Sequence, residues 1–497
     1  MAEVVVIGAG FGGLALAIRL QSAGHHVHLI EARDQVGGRA YAYRRDGFTF
    51  DGGPTVLTDP DCLKELFALS GRRMADYVRL IPVDPFYRLI WDDGQTFDYG
   101  GQDEPLMAEI ARLRPEDVAG YADFYDYSRR VYEEGYLKLG HVAFTDPGRM
   151  LKAAPSLMKL KAWRSVYATV ASFVKDEHLR QALSFHTLLV GGNPFQASSI
   201  YALIHALERQ GGVWYALGGT GALVKAMERL FIELGGEVRV SSPVETVTVQ
   251  DNRATGVHLR DGTYIPCDLV ASNADVVRTY EQMLGHHPRG RAAAARLKRL
   301  RFSMSLFVVY FGLKGPPPAT MKQHTILFGP HYRELVNAIT GAGPLRDDFS
   351  LYIHAPSIHD PSVAPEGHSA YYALSPVPNL KQDIDWSITG PAYARRILDR
   401  VEERLIPGLG SRIVTSHTLT PADFDGSLNS HLGAAFSLEP ILSQSAYFRV
   451  HNRDDQIRNL YFVGAGTHPG AGVPGVVGSA KATAGVIDRD LKSGSAR

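Results

Sequence analysis

The chain has 497 residues, 45% of them apolar and 21% charged, which are the proportions of a globular enzyme too long for one compact core. Lys plus Arg and Asp plus Glu each count 52, so no overall field draws it to nucleic acid, and any attraction to a membrane surface has to come from local patches. Two cysteines, Cys62 and Cys267, are too few for a disulfide framework or a zinc site, no histidines have metal-ligand spacing, and a reducing compartment is the expected setting.

Val4-Val5-Val6-Ile7 is a β-branched run fit for a parallel strand buried on both faces, and so early a strand predicts no signal peptide. Gly8-Ala9-Gly10-Phe11-Gly12-Gly13 follows at once, giving GxGxxG from Gly8, Gly10 and Gly13. A helical pattern runs from Leu14 to Gln21 and stops near Gly24; a second strand, His26 to Ile30, ends in Glu31, 23 residues after Gly8. Each part has a physical task. Gly8 permits the tight turn, Gly10 lets backbone approach a diphosphate, and Gly13 lets helix and strand pack closely. The helix N-terminus offers free N–H groups and a partial positive charge, and Glu31 accepts from the hydroxyls of a ribose. Its carboxylate also repels a 2′-phosphate, which argues against NADP. Phe11 and Gly12 inside the turn, with Ala32 and Arg33 beyond the acid, complete the predicted nucleotide contacts.

Gly37-Gly38-Arg39, six to eight residues after Glu31, resembles the extension that lies along the diphosphate of FAD in amine-oxidase-type flavoproteins. Asp51-Gly52-Gly53-Pro54-Thr55 fixes a turn, and Gly53, Pro54 and Thr55 are expected to meet the flavin there. Residues 104–208 are mostly helical in period. Between Asp146 and Asp176 no carboxylate occurs, while Arg149, Lys152, Lys159, Lys161, Arg164 and Lys175 alternate with Met150, Leu151, Leu157, Met158, Leu160 and Trp163. A second acid-free stretch, Glu281 to Glu334, carries Arg289, Arg291, Arg296, Lys298, Arg299 and Arg301. Both suit helices lying on anionic lipid, and both equally suit solvated surface helices.

Gly218-Gly219-Thr220-Gly221 opens another helix, and strands are read at Val238–Val240, Val244–Val249 and Tyr264–Val270. Arg301–Leu313 and Asp347–Ala373 are β-rich and suit an antiparallel sheet; the longest apolar run, Leu306–Leu313, is far short of the ~20 residues needed to cross a bilayer. Near the end, Leu460-Tyr461-Phe462-Val463 leads into a second glycine-rich loop holding Gly464, Ala465, Gly466, His468, Gly475 and Val476, then a helix. His468 reads first as a loop-structuring residue.

VVVIGAGFGGLALAIRLQSAG, GFTFDGGPTVLTDP, DEHLRQALSFHTLLVGGNPF, SSIYALIHALE and NLYFVGAGTHPGAGVPGVVGSAKATA together resemble the bacterial-type phytoene desaturase family nearly end to end. The resemblance implies an α/β protein with a discontinuous Rossmann-type FAD-binding domain (residues 1–75, 212–280 and 445–497), an antiparallel-sheet substrate domain (76–105 and 281–444) and a helical, membrane-contacting subdomain (106–211). It implies that Val244 pairs its backbone with the adenine. It further implies non-covalent FAD, a long apolar polyene as substrate, oxygen or a quinone as electron acceptor, and a cytoplasmic protein attached to the inner face of the cell membrane. No acid–base dyad stands out; Asp176, His178 and Arg180, clustered with Glu177 and His186, are the catalytic candidates and read equally as helix-surface ion pairs. Related carotenoid isomerases or ketolases, amine or porphyrinogen oxidases, and a lipid-carrying escort that has lost its flavin are the alternatives.

Overall fold

The computed structural model describes residues 1–145, 147–341 and 343–494. Its centre is a five-stranded parallel sheet in the order Glu237–Arg239, His26–Ile30, Glu3–Ile7, Leu269–Ser272, Leu460–Phe462. Val4, Val5 and Val6 are fully buried, which is why this strand reads as an unbroken β-branched run and not as an alternating one. One face is covered by the helices Phe11–Ser22, Thr220–Glu233 and Val473–Lys492, joined in one apolar core with Val4 and Val6. The other face packs on Val247 and Val257 of a three-stranded antiparallel sheet and on the helix Pro288–Leu297.

The single strand read from Tyr264 to Val270 is two strands in two sheets. Tyr264–Pro266 closes the antiparallel sheet, and Leu269–Ser272 belongs to the parallel one. Pro266 has no N–H to continue a ladder, and the next two amides change partners: Cys267 donates to Thr255 and Asp268 to Glu3.

A seven-stranded sheet runs Ile413–Leu419, Ser305–Lys314, His368–Val377, Leu351–His354, His324–Leu327, Tyr87–Ile90, Thr96–Tyr99. It is antiparallel except between His324–Leu327 and Tyr87–Ile90, which pair in parallel, so the sheet is mixed. Along Ser305–Lys314, Phe307, Val309, Phe311 and Leu313 face one apolar cluster, shared with the helix Trp386–Arg404, and Val308 and Tyr310 face another with Phe48 and Phe50. Burial on both faces accounts for the continuous apolar run at this position. Residues 103–211 form a helical layer against Tyr87 and Tyr99.

The two basic stretches differ. In the second, Arg289 pairs with Asp454, Lys298 with Glu281 and Arg301 with Glu439, and Ala293, Ala294 and Leu297 are buried against the antiparallel sheet. The opposite face of that helix, with Arg291 and Arg296, is exposed and carries no large apolar residue, which fits the solvated surface helix better than the lipid-facing one. In the first, Leu151, Met158 and Trp163 are 74%, 66% and 63% exposed, with exposed Lys152, Lys159 and Lys161 between them. Asp146 and the Arg149 side chain lie outside what the structure describes. Among the described residues no helix is long and apolar enough to cross a membrane.

Asp51 ties the first segment to the middle one. It is buried, accepts from the Gly221 amide at 3.3 Å, and fills the space where a Gly219 side chain would begin. Burial pushes its carboxyl up to about 6, held back by the Gly221 and Thr220 amides and raised further by Asp360. The folded pKa lies above the ordinary ~3.9, so the folded state keeps this proton longer and stability falls as pH rises from about 4 to about 6. Asp51→Asn, which cannot ionise, should gain on the wild type by about 3 kcal/mol between pH 4 and pH 7 in denaturant melts. An increment that does not vary with pH would contradict the assignment.

Candidate active site

Where the parallel strands end, residues of the three distant segments meet around a cavity of about 880 Å³. The first strand stops at Gly8, whose φ of +91° turns the chain sharply, and the helix Phe11–Ser22 begins with no side-chain cap and no acidic residue in its first turn. Its free amides therefore carry their partial positive charge into the cavity, which Gly8, Gly10, Phe11 and Gly12 line. A Cβ on Gly12 would lie 2.6 Å from Asn273 Oδ1 and 3.1 Å from Gly464 Cα. The helix Val473–Lys492 supplies a second N-terminus of the same kind: its N-cap, Gly472, offers no side-chain bond, and Val473, Pro474, Gly475 and Val476 line the wall.

Charged side chains, Glu31, Arg33 and Arg39 among them, line this polar arm. Glu31, 7% exposed, accepts from the Ala9 amide at 2.8 Å and the Arg33 amide at 2.9 Å, which leaves lone pairs free for a diol. Arg33 lies with Cζ 3.6 Å above the Tyr41 ring and has a buried Nη1 without a partner. Arg39 donates through Nη2 to Ser430 and to the Ala434 carbonyl, and its buried Nε is unpartnered. Uncapped helix ends, spare guanidinium donors and a carboxylate with free lone pairs are the complement of a ribose and a diphosphate, so the residues present fit a dinucleotide such as FAD. Ala32, Gly37, Gly38, Gly53, Pro54, Thr55, Val244 and Ala465 also line the cavity.

Gly13, Gly464 and Gly466 do not line it, and their role is packing. A Cβ on Gly13 would meet the Gly8 carbonyl at 2.0 Å, one on Gly464 the Asn273 Oδ1 at 2.5 Å, and one on Gly466 the Val276 side chain at 2.5 Å. Neither Cys62 nor Cys267 lines the cavity, and among the described residues no group of three His, Cys, Asp or Glu could hold a metal ion.

The same cavity continues as an apolar arm between the helical layer and the seven-stranded sheet, walled by Phe185, Leu188, Leu207, Ile326, Phe328 and Leu374. Thr55 joins the two arms, with its hydroxyl 2.5 Å from that of Tyr372 and 3.0 Å from that of Tyr352. Met150, Leu157, Leu442 and Ala446 line the cavity beside the exposed Leu151, Met158 and Phe448.

One acid stands in the apolar wall. Glu208 is 1% exposed; its Oε1 accepts from the Tyr87 hydroxyl at 2.7 Å, and its Oε2 has no hydrogen-bond partner but lies 3.0 Å from Nε2 of buried His186. Next to it His205, which burial holds neutral, meets the Tyr99 and Tyr121 hydroxyls. The sequence carried a signal for Glu208: it is an acid one residue after Leu207 in the apolar run YALIHAL, where a solvated position would be expected.

The catalytic candidates from the sequence are elsewhere. Asp176 caps the helix Glu177–Ser184 by accepting from the Leu179 amide, His178 lies edge-on to Trp91 and 3.1 Å from Asp93, and Arg180 donates to the Val174 carbonyl. None of the three lines the cavity, and their bonds are those of a helix end. His468 lines the wall, but its Nε2 donates to the Leu139 carbonyl and burial lowers its pKa to about 4, so it joins loops as a neutral ring.

Residues 11–488 match the family described as flavin containing amine oxidoreductase. The chain is 58% identical over 493 residues to a lycopene-forming phytoene desaturase of Pseudescherichia vulneris, covering 99% of this chain and 100% of that one. It is 44% identical to a neurosporene-forming phytoene desaturase of Rhodobacter capsulatus, covering 98% and 94%. Among solved structures, an oxidoreductase from Methanosarcina mazei superposes with a TM-score of 0.64 at 18% identity (98% and 100% covered), and cyclohexylamine oxidase from Brevibacterium oxydans with 0.62 at 15% (99% of each). At such identities these two show the fold alone. The chain belongs to the flavin-containing amine oxidoreductases, in their phytoene desaturase branch, and its cofactor is FAD.

Two substitutions test the polar arm. Gly12→Ala puts a methyl group against Asn273 and Gly464 and should give protein that purifies without the yellow of bound flavin. Glu31→Gln removes a charged acceptor, an interaction of about 1.5–3 kcal/mol, and should weaken FAD binding roughly 10- to 100-fold by fluorescence titration. Unchanged affinity would place the ribose elsewhere.

Proposed function

We propose that this protein desaturates phytoene, taking hydrogen from the polyene stepwise toward lycopene, and does so while attached to a membrane surface. The observation that carries the reading is the joining of a polar dinucleotide cradle and an apolar arm in one cavity whose far wall comes from the exposed basic-apolar segment. Residues 1–75, 212–280 and 445–497 are taken as the FAD domain, 76–105 and 281–444 as the sheet that holds the polyene, and 106–211 as the docking layer. The relatives named above support the substrate.

When bound, FAD supplies the acceptor for a hydride leaving an allylic carbon. The chain's own residues do the rest. Phe185, Ile326, Phe328 and Leu374 hold the hydrocarbon and keep water away. Loss of hydride leaves positive charge delocalised over the polyene, and a proton must then leave the neighbouring carbon for a base. Glu208 is assigned that role because its buried carboxylate lines the cavity, with the Tyr87 hydroxyl steadying Oε1 and His186 Nε2 placed 3.0 Å from Oε2. Electrons pass onward to oxygen or to a membrane quinone, which would lie in the same bilayer as the substrate.

Docking follows from solubility. Bringing forty carbons into water would cost roughly 30 kcal/mol at ~0.8 kcal/mol per CH₂, so the polyene has to pass from bilayer to cavity directly. Leu151, Met158 and Trp163 would enter the interface, and exposed Lys152, Lys159 and Lys161 would each add about 1 kcal/mol on an anionic surface.

The deciding experiment is anaerobic mixing of the yellow protein with phytoene in liposomes. Loss of oxidised-flavin absorbance in step with growth of longer-wavelength polyene bands is the expected result; bleaching by an amine but not by phytoene would refute the substrate. Glu208→Gln should lower turnover about 10²- to 10⁴-fold with flavin content unchanged. A Leu151→Ser, Met158→Ser, Trp163→Ala variant should lose most sedimentation with anionic liposomes yet remain folded and yellow.

A further inference from the structure

Arg449, just after the turn Ala446–Phe448, is 3% exposed, and among the described residues each partner of its side chain is a backbone carbonyl. Nη2 donates to Ala465 at 2.7 Å and Leu438 at 3.2 Å, Nη1 donates to Gln444 at 3.3 Å, and the buried Nε has no partner. The buried carboxylates nearest in sequence are taken: Glu439 by Arg301 at 2.7 Å, Asp454 by Arg289 at 3.0 Å. Burial draws the guanidinium pKa down from its ordinary value, yet an arginine stays charged in proteins. Among the described residues no carboxylate pairs with it, and a buried charge held only by carbonyl dipoles is costly, so its persistence points to a use for the charge itself.

Its position says where that charge acts. The two loops it ties both line the cavity, through Leu442, Ser445 and Ala446 on one side and Ala465, Pro469 and Ala471 on the other. The Gly470 backbone runs so close that a Cβ there would lie 3.6 Å from the guanidinium carbon. Tyr201, whose phenol lies near enough to influence the guanidinium, also lines the cavity. His468 of this loop, on which Arg449 acts, is held neutral by burial and brings no positive charge of its own.

We propose that Arg449 is a positioning residue for charge: from behind the loop 464–472 it supplies the fixed positive charge that stabilises the ring of FAD once reduced, and so sets the reduction potential. A hydride brings two electrons and one proton to a neutral ring and leaves it with one negative charge; a buried cation beside it favours that state. The inference rests on reading the cavity as the FAD site.

The test compares Arg449→Met, which fills similar volume without charge, and Arg449→Lys, which keeps it, in purified flavin-loaded protein. Midpoint potentials are taken by anaerobic titration against reference dyes, and sulfite affinity by flavin bleaching, because the sulfite adduct also leaves negative charge on the ring. Arg449→Met should lower the reduction equilibrium at least tenfold, about 30 mV for a two-electron couple, and sulfite affinity at least tenfold, while Arg449→Lys changes either by less than threefold. Arg449→Met with wild-type potential and sulfite affinity overturns the inference and leaves the FAD site standing. Wild-type protein that binds no flavin overturns the site itself. If Arg449→Met does not fold, the wild type decides: bleaching by millimolar sulfite, retained in Arg449→Lys, supports the charge, and resistance to sulfite overturns it.

Discussion

A diphosphate-bearing cofactor and a hydrocarbon have opposite solvent preferences, and a reaction between them requires one enclosed space that satisfies both. The whole chain is arranged around that requirement. The polar arm offers a diphosphate two uncapped helix ends and guanidinium donors, which would lose little by leaving water because they are already fixed by the fold. The apolar arm offers side chains with no hydrogen bonds to satisfy, and Glu208 is the acid set among them. Thr55, bonded to Tyr352 and Tyr372, marks where one environment gives way to the other.

Bringing three distant segments to one point depends on close backbone approach. Asn273 is the meeting place: its amide donates to Ile7, its side chain donates to the Gly8 carbonyl at 3.3 Å, and its Oδ1 occupies the space that a side chain at Gly12 or Gly464 would need. Residues from the start, middle and end of the chain thereby share one junction. The parallel sheet places this junction at the carboxyl ends of its strands, where both helix N-termini begin. Asp51 performs a similar service between the first segment and the helix at Thr220, at the cost of a buried acid.

Most of this frame was legible in the sequence. The strand, glycine turn, helix and acid from Val4 to Glu31 are local chemistry with fixed spacing, and the second glycine loop at Gly464 announced itself in the same way. The parts that were not legible depend on distance in space. Asn273 has no local signature, because what it does is fill gaps between segments 265 residues apart. Glu208 and His186 are 22 residues apart in sequence and become a pair only when two helices pack. The break at Cys267 was hidden because both halves are apolar, and only the change of hydrogen-bond partners shows it. The basic stretch around Arg289 looked like a lipid face because its acidic partners, Asp454 and Glu439, lie far along the chain. Conversely Asp176, His178 and Arg180 drew attention as a dense polar group, and such density is ordinary at a helix N-terminus.

The proposed passage of substrate from bilayer to cavity without crossing water is decided by surface dilution. Initial desaturation rates are measured at constant total phytoene and protein while phytoene-free lipid is mixed into the same vesicles. Direct transfer predicts a rate that follows the mole fraction of phytoene in the bilayer and falls as lipid is added. A rate that stays constant, set by total phytoene alone, would contradict the account and detach the apolar arm from the membrane.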